Sequence, residues 1–152
     1  MPELHWVETE KTRAESPSAE FRALATLPTP VENLAADEAL LDHCEAHGAA
    51  ALRFWEAPAP CVVLGFSNSA AREAKLAACA RDGVPVLRRC SGGGTVLLGS
   101  GCLNYALVLP LAAQAALATV SGANQFILQR NVAAWAALLG EPLVRRGDTD
   151  LV

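Results

Sequence analysis

Lysine is almost missing from this chain: among 152 residues only Lys11 and Lys75 carry an ammonium group. Lys and Arg together number 12 against 16 Asp and Glu, a formal net charge of -4. That balance gives no general electrostatic pull towards a phosphate backbone or an anionic membrane, so no nucleic acid and no membrane is expected as a partner. Paired cysteines are also missing. Cys44, Cys61, Cys79, Cys90 and Cys102 form an odd set without a C-x-x-C pair. This argues against a zinc knuckle and a disulfide framework, and fits a reducing, cytoplasmic setting. His43 and His47 share a helix face but no H-E-x-x-H motif accompanies them, so they read as a solvated helix end and no metal ligand is assigned. Met1 to Arg13 is mixed and charged rather than a basic leader followed by an apolar stretch. The longest apolar stretch, Tyr105 to Val120, is interrupted by Pro110 and Gln114 and falls short of a membrane span.

What remains is an ordinary globular composition, 52% hydrophobic and 18% charged, in a length that argues for one domain with a sizeable core. Residues 1–30 hold Pro2, Pro17, Pro28 and Pro30 among scattered charges and read as an irregular N-terminal arm. From Val31 to His47 apolar residues recur at helical spacing, with Glu38, Asp42 and Glu45 on a solvated face and Gly48 as C-cap. Ala51 to Trp55 and Cys61 to Gly65 are β-prone runs, read as two strands joined by a turn at Pro58 and Pro60. A helix is predicted from Asn68 or Ser69 to Arg81, closed by Asp82-Gly83, and then a strand over Val84 to Leu87 with Pro85 marking an edge or a strand start. Thr95 to Leu98 and Cys102 to Leu109 read as further strands, Leu111 to Ala118 as a helix or loop wall, and Asn124 to Leu139 as a helix ended by Gly140. Pro142 to Arg146 and Thr149 to Val152 read as strands about a turn at Gly147-Asp148. The sum is α+β, a mostly antiparallel sheet with two or three helices. Trp6, Trp55 and Trp135 are assigned to packing.

The most informative stretch runs from Val86 to Val96, where Arg88 and Arg89 stand directly before Cys90-Ser91-Gly92-Gly93-Gly94 between two strands. Three glycines permit positive φ and remove every Cβ, so backbone amides can converge on an anion. Successive arginines on a strand point to opposite faces, and a guanidinium holds phosphate or carboxylate as a bidentate fork. The two readings are an acyl-phosphate cradle and a glycine-rich hairpin turn. A Walker A loop is excluded because no Gly-Lys-Ser/Thr follows, and the dinucleotide fingerprint Gly-x-Gly-x-x-Gly is missing.

Arg88-Arg89-Cys90-Ser91-Gly92-Gly93-Gly94-Thr95-Val96 resembles the arginine-arginine, serine, triple-glycine signature of the lipoate protein ligases, within the biotin/lipoate protein ligase catalytic domain family. Asn33 to Leu41 resembles that family's first helix, and Trp55 with Val62-Val63-Leu64-Gly65 its next two strands. Gly101 to Tyr105 and Gly147 to Val152 continue the match, which covers residues 31–152. The Gly-Arg-Gly-Arg loop of the biotin branch is replaced here by Ser91-Gly92-Gly93-Gly94, and Leu97-Leu98 stands where many ligases and octanoyltransferases carry a histidine.

The resemblance implies a class II aminoacyl-tRNA synthetase/biotin-lipoate ligase-like fold, a mixed and mostly antiparallel sheet flanked by helices. It implies that lipoate or octanoate is activated by ATP, with Mg2+, as an acyl-adenylate and passed to a lysine of a carrier domain. That carrier would be the lipoyl domain of a 2-oxoacid dehydrogenase or the glycine cleavage H protein. By the same resemblance Arg89, Gly94, Thr95, Val96 and Leu97 hold the nucleotide, while Arg88, Ser91, Gly92, Gly93, Asn104 and Asp150 hold the acyl substrate. The family's lysine is expected in a turn past Asp150-Leu151, beyond Val152, so residues 31–152 read as the N-terminal part of the catalytic domain and no catalytic residue is assigned. Two other readings stay open: an octanoyl or lipoyl acyltransferase of the same superfamily, and a non-catalytic acyl-binding fragment. Cys102 reads as a structural thiol rather than an acyl-thioester nucleophile, and Cys90 has no histidine near it in sequence.

Overall fold

Thr29-Pro30-Val31-Glu32 opens the first helix by reciprocal capping. Glu32 N–H donates to the Thr29 hydroxyl, and Thr29 N–H donates to the Glu32 carboxylate at 2.9 Å. With Pro30 in its first turn, helix α1 runs Pro30–His47 and closes on Gly48, whose φ of 68 is the left-handed conformation of a C-cap. The start lies one residue ahead of the predicted one because the Thr29 cap was not read. Glu38, Asp42 and Glu45 are exposed, as expected. This computed structural model describes residues 26–147 and 150–152; most of the arm expected over 1–30, and Asp148 and Thr149 of the expected turn, lie outside the described residues.

Strands β1 (Ala51–Glu56) and β2 (Cys61–Leu64) occur where predicted, but they do not pair with each other. β1 is buried at every second residue, a pattern that suits one covered face, whereas Cys61, Val63 and Leu64 of β2 are all buried, which suits a central strand. β2 accordingly lies between β3 (Val86–Arg88), parallel to it, and β4 (Val96–Leu98), antiparallel. β1 pairs instead with β5 (Leu103–Val108), antiparallel, with Phe54 opposite Tyr105. Pro85 sits just ahead of edge strand β3, and its carbonyl accepts from Val62 N–H at 2.9 Å. A short antiparallel pair, β6 (Arg145–Arg146) with β7 (Asp150–Leu151), ends the chain. The architecture is α+β with small sheets, mixed and mostly antiparallel, as predicted.

The single helix predicted up to Arg81 is two: α2 (Ala70–Glu73) and α3 (Leu76–Arg81), separated by an extended Ala74. Neither buries a residue, so no packed face holds them as one rod. The alanine-rich tract forms two 3-10 turns, Leu111–Ala113 and Ala115–Ala118. Helix α4 spans Val120–Leu139, four residues longer at its start than predicted, because Thr119 accepts from Gly122 N–H as N-cap. The core gathers where α1 meets the sheets, around Cys44, Ala51, Trp55, Ala57, Cys61, Val63 and Leu64. Asn33 and Arg53 are buried completely within it. Among the described residues no helix is long and apolar enough to cross a membrane.

Candidate functional site: a glycine nest at the rim of an apolar cavity

The link from β3 to β4 carries the glycines. Its entry is fixed by Arg89 N–H donating to Leu64 O at 3.0 Å and by Phe66 N–H donating to Ser91 O at 2.9 Å. Arg89 then folds back over the link: Nε and Nη2 donate to Gly92 O at 3.2 and 2.6 Å, and Nη2 to Gly94 O at 2.8 Å. Between them Gly93 O accepts from Asn68 Nδ2 at 3.2 Å, and the same nitrogen reaches Thr95 Oγ1 at 3.1 Å. Three successive carbonyls are thus turned onto side-chain donors.

In a trans peptide the N–H points opposite to the C=O, so the amides of Gly93, Gly94 and Thr95 face away from those donors. None of the three donates a hydrogen bond among the described residues. Consecutive amides without a protein partner are groups that can converge on an anion. The requirement for glycine is local. Gly93 has φ 93, and a Cβ there would lie 2.9 Å from Arg89 Nη2; a Cβ on Gly92 or Gly94 would meet nothing within 4 Å.

The nest stands at the edge of a cavity of about 740 Å3, lined on that side by Arg89, Cys90, Ser91, Val96 and Leu98. The opposite wall comes from Leu34, Asp37 and Leu41 of α1, the floor from Trp55 and Val63, and the remainder from β5 and α4, including Asn104, Ala106 and Ile127. Most of this lining is apolar, with a few polar groups among it, Asp37, Arg89, Ser91, Asn104 and Asn124. Asn104 has its Nδ2 held by Cys102 O at 3.0 Å and Trp55 O at 3.4 Å.

Not every residue expected at the site is there. Arg88 does not line the cavity; its Nη1 donates to the carbonyls of Gly65, Phe66 and Asn68 at 2.8, 2.7 and 2.8 Å. Arg88 and Arg89 alternate as strand geometry demands, and it is Arg89 that turns to the cavity. Leu97 is 69% exposed on the face of β4 opposite Val96 and Leu98. Asp150 lines a separate, shallower cavity of about 620 Å3 with Asn131, Trp135 and Arg146; Tyr105 and Leu128 border both.

One group was missed by the sequence reading. Asp37 lies at the cavity wall with Oδ1 2.7 Å from Arg53 Nη1 and Oδ2 accepting from Trp55 Nε1 at 3.0 Å. Arg53 also donates to Asn33 O at 3.1 Å and to the Asn33 side-chain oxygen. The available signal was a pair at helical spacing, Asn33 and Asp37, opposite a pair at strand spacing, Arg53 and Trp55. Cys90 is the other chemical group in the cavity. Cys90 is exposed, yet partial desolvation, then the charge of Glu38 and, more weakly, those of Asp37 and Asp42 push its thiol up against an opposing backbone hydrogen bond. At neutral pH it is therefore a thiol and a poor nucleophile. Among the described residues no group of three or more His, Cys, Asp or Glu could hold a metal ion.

Residues 29–152 match the family described as the lipoyl protein ligase A/B catalytic domain. Over 82 residues the chain is 37% identical to a candidate lipoate-protein ligase A of Aeropyrum pernix, covering 54% of this chain and 31% of that protein. Over 67 residues it is 43% identical to the octanoyltransferase LipM of Carboxydothermus hydrogenoformans, covering 43% of this chain and 25% of that one. Among solved structures, the bi-partite lipoate protein ligase of Thermoplasma acidophilum, described with its E2 lipoyl domain, superposes with a TM-score of 0.68 at 25% identity. That superposition covers 86% of this chain and 49% of the other. The matches thus span about a third or less of the curated relatives' length.

Proposed function

The chain belongs to the lipoyl protein ligase A/B catalytic domain family, and from that premise we propose that it binds lipoate or octanoate as an acyl-adenylate made from ATP, for transfer to a lysine of a lipoyl carrier domain. The observation that carries this reading is the row of three unpaired amides, Gly93, Gly94 and Thr95, flanked in sequence by residues lining an apolar cavity. A medium-length acyl chain suits the apolar part, lined by Leu34, Leu41, Val63 and Leu98. Its carboxylate end would then meet Ser91, Asn104 and the nest.

In the first step a carboxylate oxygen attacks the α-phosphorus of ATP and pyrophosphate leaves. In the second the carrier's amine attacks the acyl carbonyl, an amide forms, AMP leaves and the amine's surplus proton passes to solvent. The residues of this chain serve both steps by fixed donors. The amides of Gly93, Gly94 and Thr95 and the Arg89 guanidinium, whose Nη1 donates to no partner among the described residues, would stabilise charge at the phosphoryl and acyl oxygens. Magnesium would enter on the nucleotide phosphates. In this reading residues 31–152 are the N-terminal part of the catalytic domain, and Lys75, exposed at the start of α3, is not its lysine. The carrier resembles the partner that accompanies the T. acidophilum ligase, an E2 lipoyl domain; the glycine cleavage H protein is the second candidate.

The test is calorimetric titration of the chain with lipoyl-AMP, with AMP and with lipoate. Binding of lipoyl-AMP well above either fragment is expected; equal weak binding of all three would sink the adenylate reading. The similarity to an octanoyltransferase favours a second reading, transfer of octanoate from a thioester donor. Mass spectrometry of an apo lipoyl domain separates the two, because only the ligase needs ATP.

A further inference from the structure

Arg88 and Asn68 both point at backbone rather than at the cavity, and together they form a chain of contacts that ends on the nest. Arg88 Nη1 has two N–H groups shared among three carbonyls, those of Gly65, Phe66 and Asn68. This gathers the 65–68 turn, itself closed by Asn68 N–H to Gly65 O at 3.1 Å, around a charged donor. The turn delivers the Asn68 amide to Gly93 O and Thr95 Oγ1, on either side of Gly94.

We propose that Asn68 and Arg88 are positioning residues that set the direction of the middle amide of the glycine nest. This deepens, and rests on, the adenylate-binding reading of the site. Arg89 clamps the two outer peptides of the nest through Gly92 O and Gly94 O, but it does not reach Gly93 O. The peptide between Gly93 and Gly94 has a glycine on each side, so steric repulsion offers little resistance to its rotation. Among the described residues the one donor to its carbonyl is Asn68 Nδ2. Without that bond the Gly94 N–H has no fixed direction, and a preorganised donor becomes one that must be ordered when the anion arrives. Arg88 acts one step further back. Its three carbonyl contacts hold the turn that carries Asn68, which accounts for an arginine beside Arg89 that does not face the cavity.

The discriminating substitution is Asn68→Asp. It keeps the shape of the side chain, removes the donor and sets a negative oxygen against the Gly93 carbonyl. Asn68→Ala removes the contact without adding a charge. Backbone 15N relaxation on the ligand-free chain reads the nest directly. The wild type is expected to show order parameters near the rigid-backbone value of about 0.85 at Gly93, Gly94 and Thr95, and both variants a fall at Gly94 to below about 0.6, with β1 and β5 unchanged. Unchanged order at Gly94 in both variants would overturn the proposal whatever the ligand proves to be.

Titration with lipoyl-AMP supplies the second readout. An affinity lower by about tenfold or more in both variants, at unchanged Tm, is what loss of a directed charge-assisted hydrogen bond predicts. Loss of order with undiminished affinity would overturn the positioning role. A wild-type chain that does not bind lipoyl-AMP overturns the assignment of the ligand, while relaxation still decides whether Asn68 holds the nest. Arg88→Lys extends the test: it should fall between wild type and Asn68→Ala in both readouts, since its ammonium sits one bond nearer the backbone and reaches the three carbonyls less well than Nη1 does.

Discussion

The carbonyl oxygen of Gly93 stands 2.1 Å from the place a Cβ on Gly65 would occupy. The end of β2 and the glycine nest touch backbone to backbone, and no side chain fits between them. Gly65 is buried whereas Gly93 is exposed, so it is the nest that has room to move.

Gly65→Ala should therefore push the nest outward. Overpacking of this kind costs about 1–3 kcal/mol, and the expected outcome is a lower Tm together with weaker lipoyl-AMP binding. Gly92→Ala is the contrasting case for stability, because a Cβ there meets nothing within 4 Å; its Tm should match the wild type. A Gly65→Ala chain as stable as the wild type would show that the two segments separate readily.

Arg53 is fully buried and its charge is met by Asp37 at 2.7 Å. Removing the carboxylate takes one charged partner from a buried cation, a loss of up to about 3–5 kcal/mol. Asp37→Ala should unfold at a clearly lower urea concentration than the wild type. Asp37→Asn, which keeps an acceptor for Arg53 or Trp55 but not the charge, should fall between the two. Equal midpoints for all three would mean that Arg53 is satisfied without the Asp37 charge.

Arg89 serves the nest twice in this reading, as clamp on Gly92 O and Gly94 O and as a donor to the anion. Arg89→Ala should weaken lipoyl-AMP binding by about tenfold or more. Arg89→Lys should not recover it, because a single ammonium cannot bridge both carbonyls in the geometry of a guanidinium fork. Full affinity in either variant would remove Arg89 from the site.

For Cys90 the direction of the shift sets the pH response. Its thiol is pushed up by partial desolvation and then by Glu38, Asp37 and Asp42, so at a given pH near neutrality a smaller fraction is thiolate than in an ordinary cysteine. Alkylation by iodoacetamide, followed by mass spectrometry of the Cys90 peptide, should be slow at neutral pH and accelerate only well into the alkaline range. Glu38→Gln removes one of the charges and should move the profile to lower pH. A fast neutral reaction would point to an activated thiol and strengthen the acyltransferase reading.

Strands β1 and β2 show where reading the chain stopped short. Their positions were legible from β-prone runs between prolines, yet their partners were not, because β1 joins β5 and β2 joins β3 and β4 across long stretches of sequence. Register and partner choice depend on which faces are covered, and that is decided by the rest of the fold. The break at Ala74 was likewise invisible, since alanine-rich sequence is compatible with helix and only the lack of a packed face ends it.

The pieces whose physics is short-range could be read along the chain. The Gly48 and Gly140 helix ends, strand β3 after Pro85, the α+β class and the glycine run between two strands follow from φ preferences and periodicity within a few residues. Which arginine turns to the cavity and which holds backbone, that Asn68 donates to Gly93, and that Asp37 meets Arg53 and Trp55 came from the folded arrangement. Those are contacts between residues distant in sequence. A hydrogen-bond partner is chosen by what the fold brings within about 3 Å of a donor, a distance that no local propensity encodes.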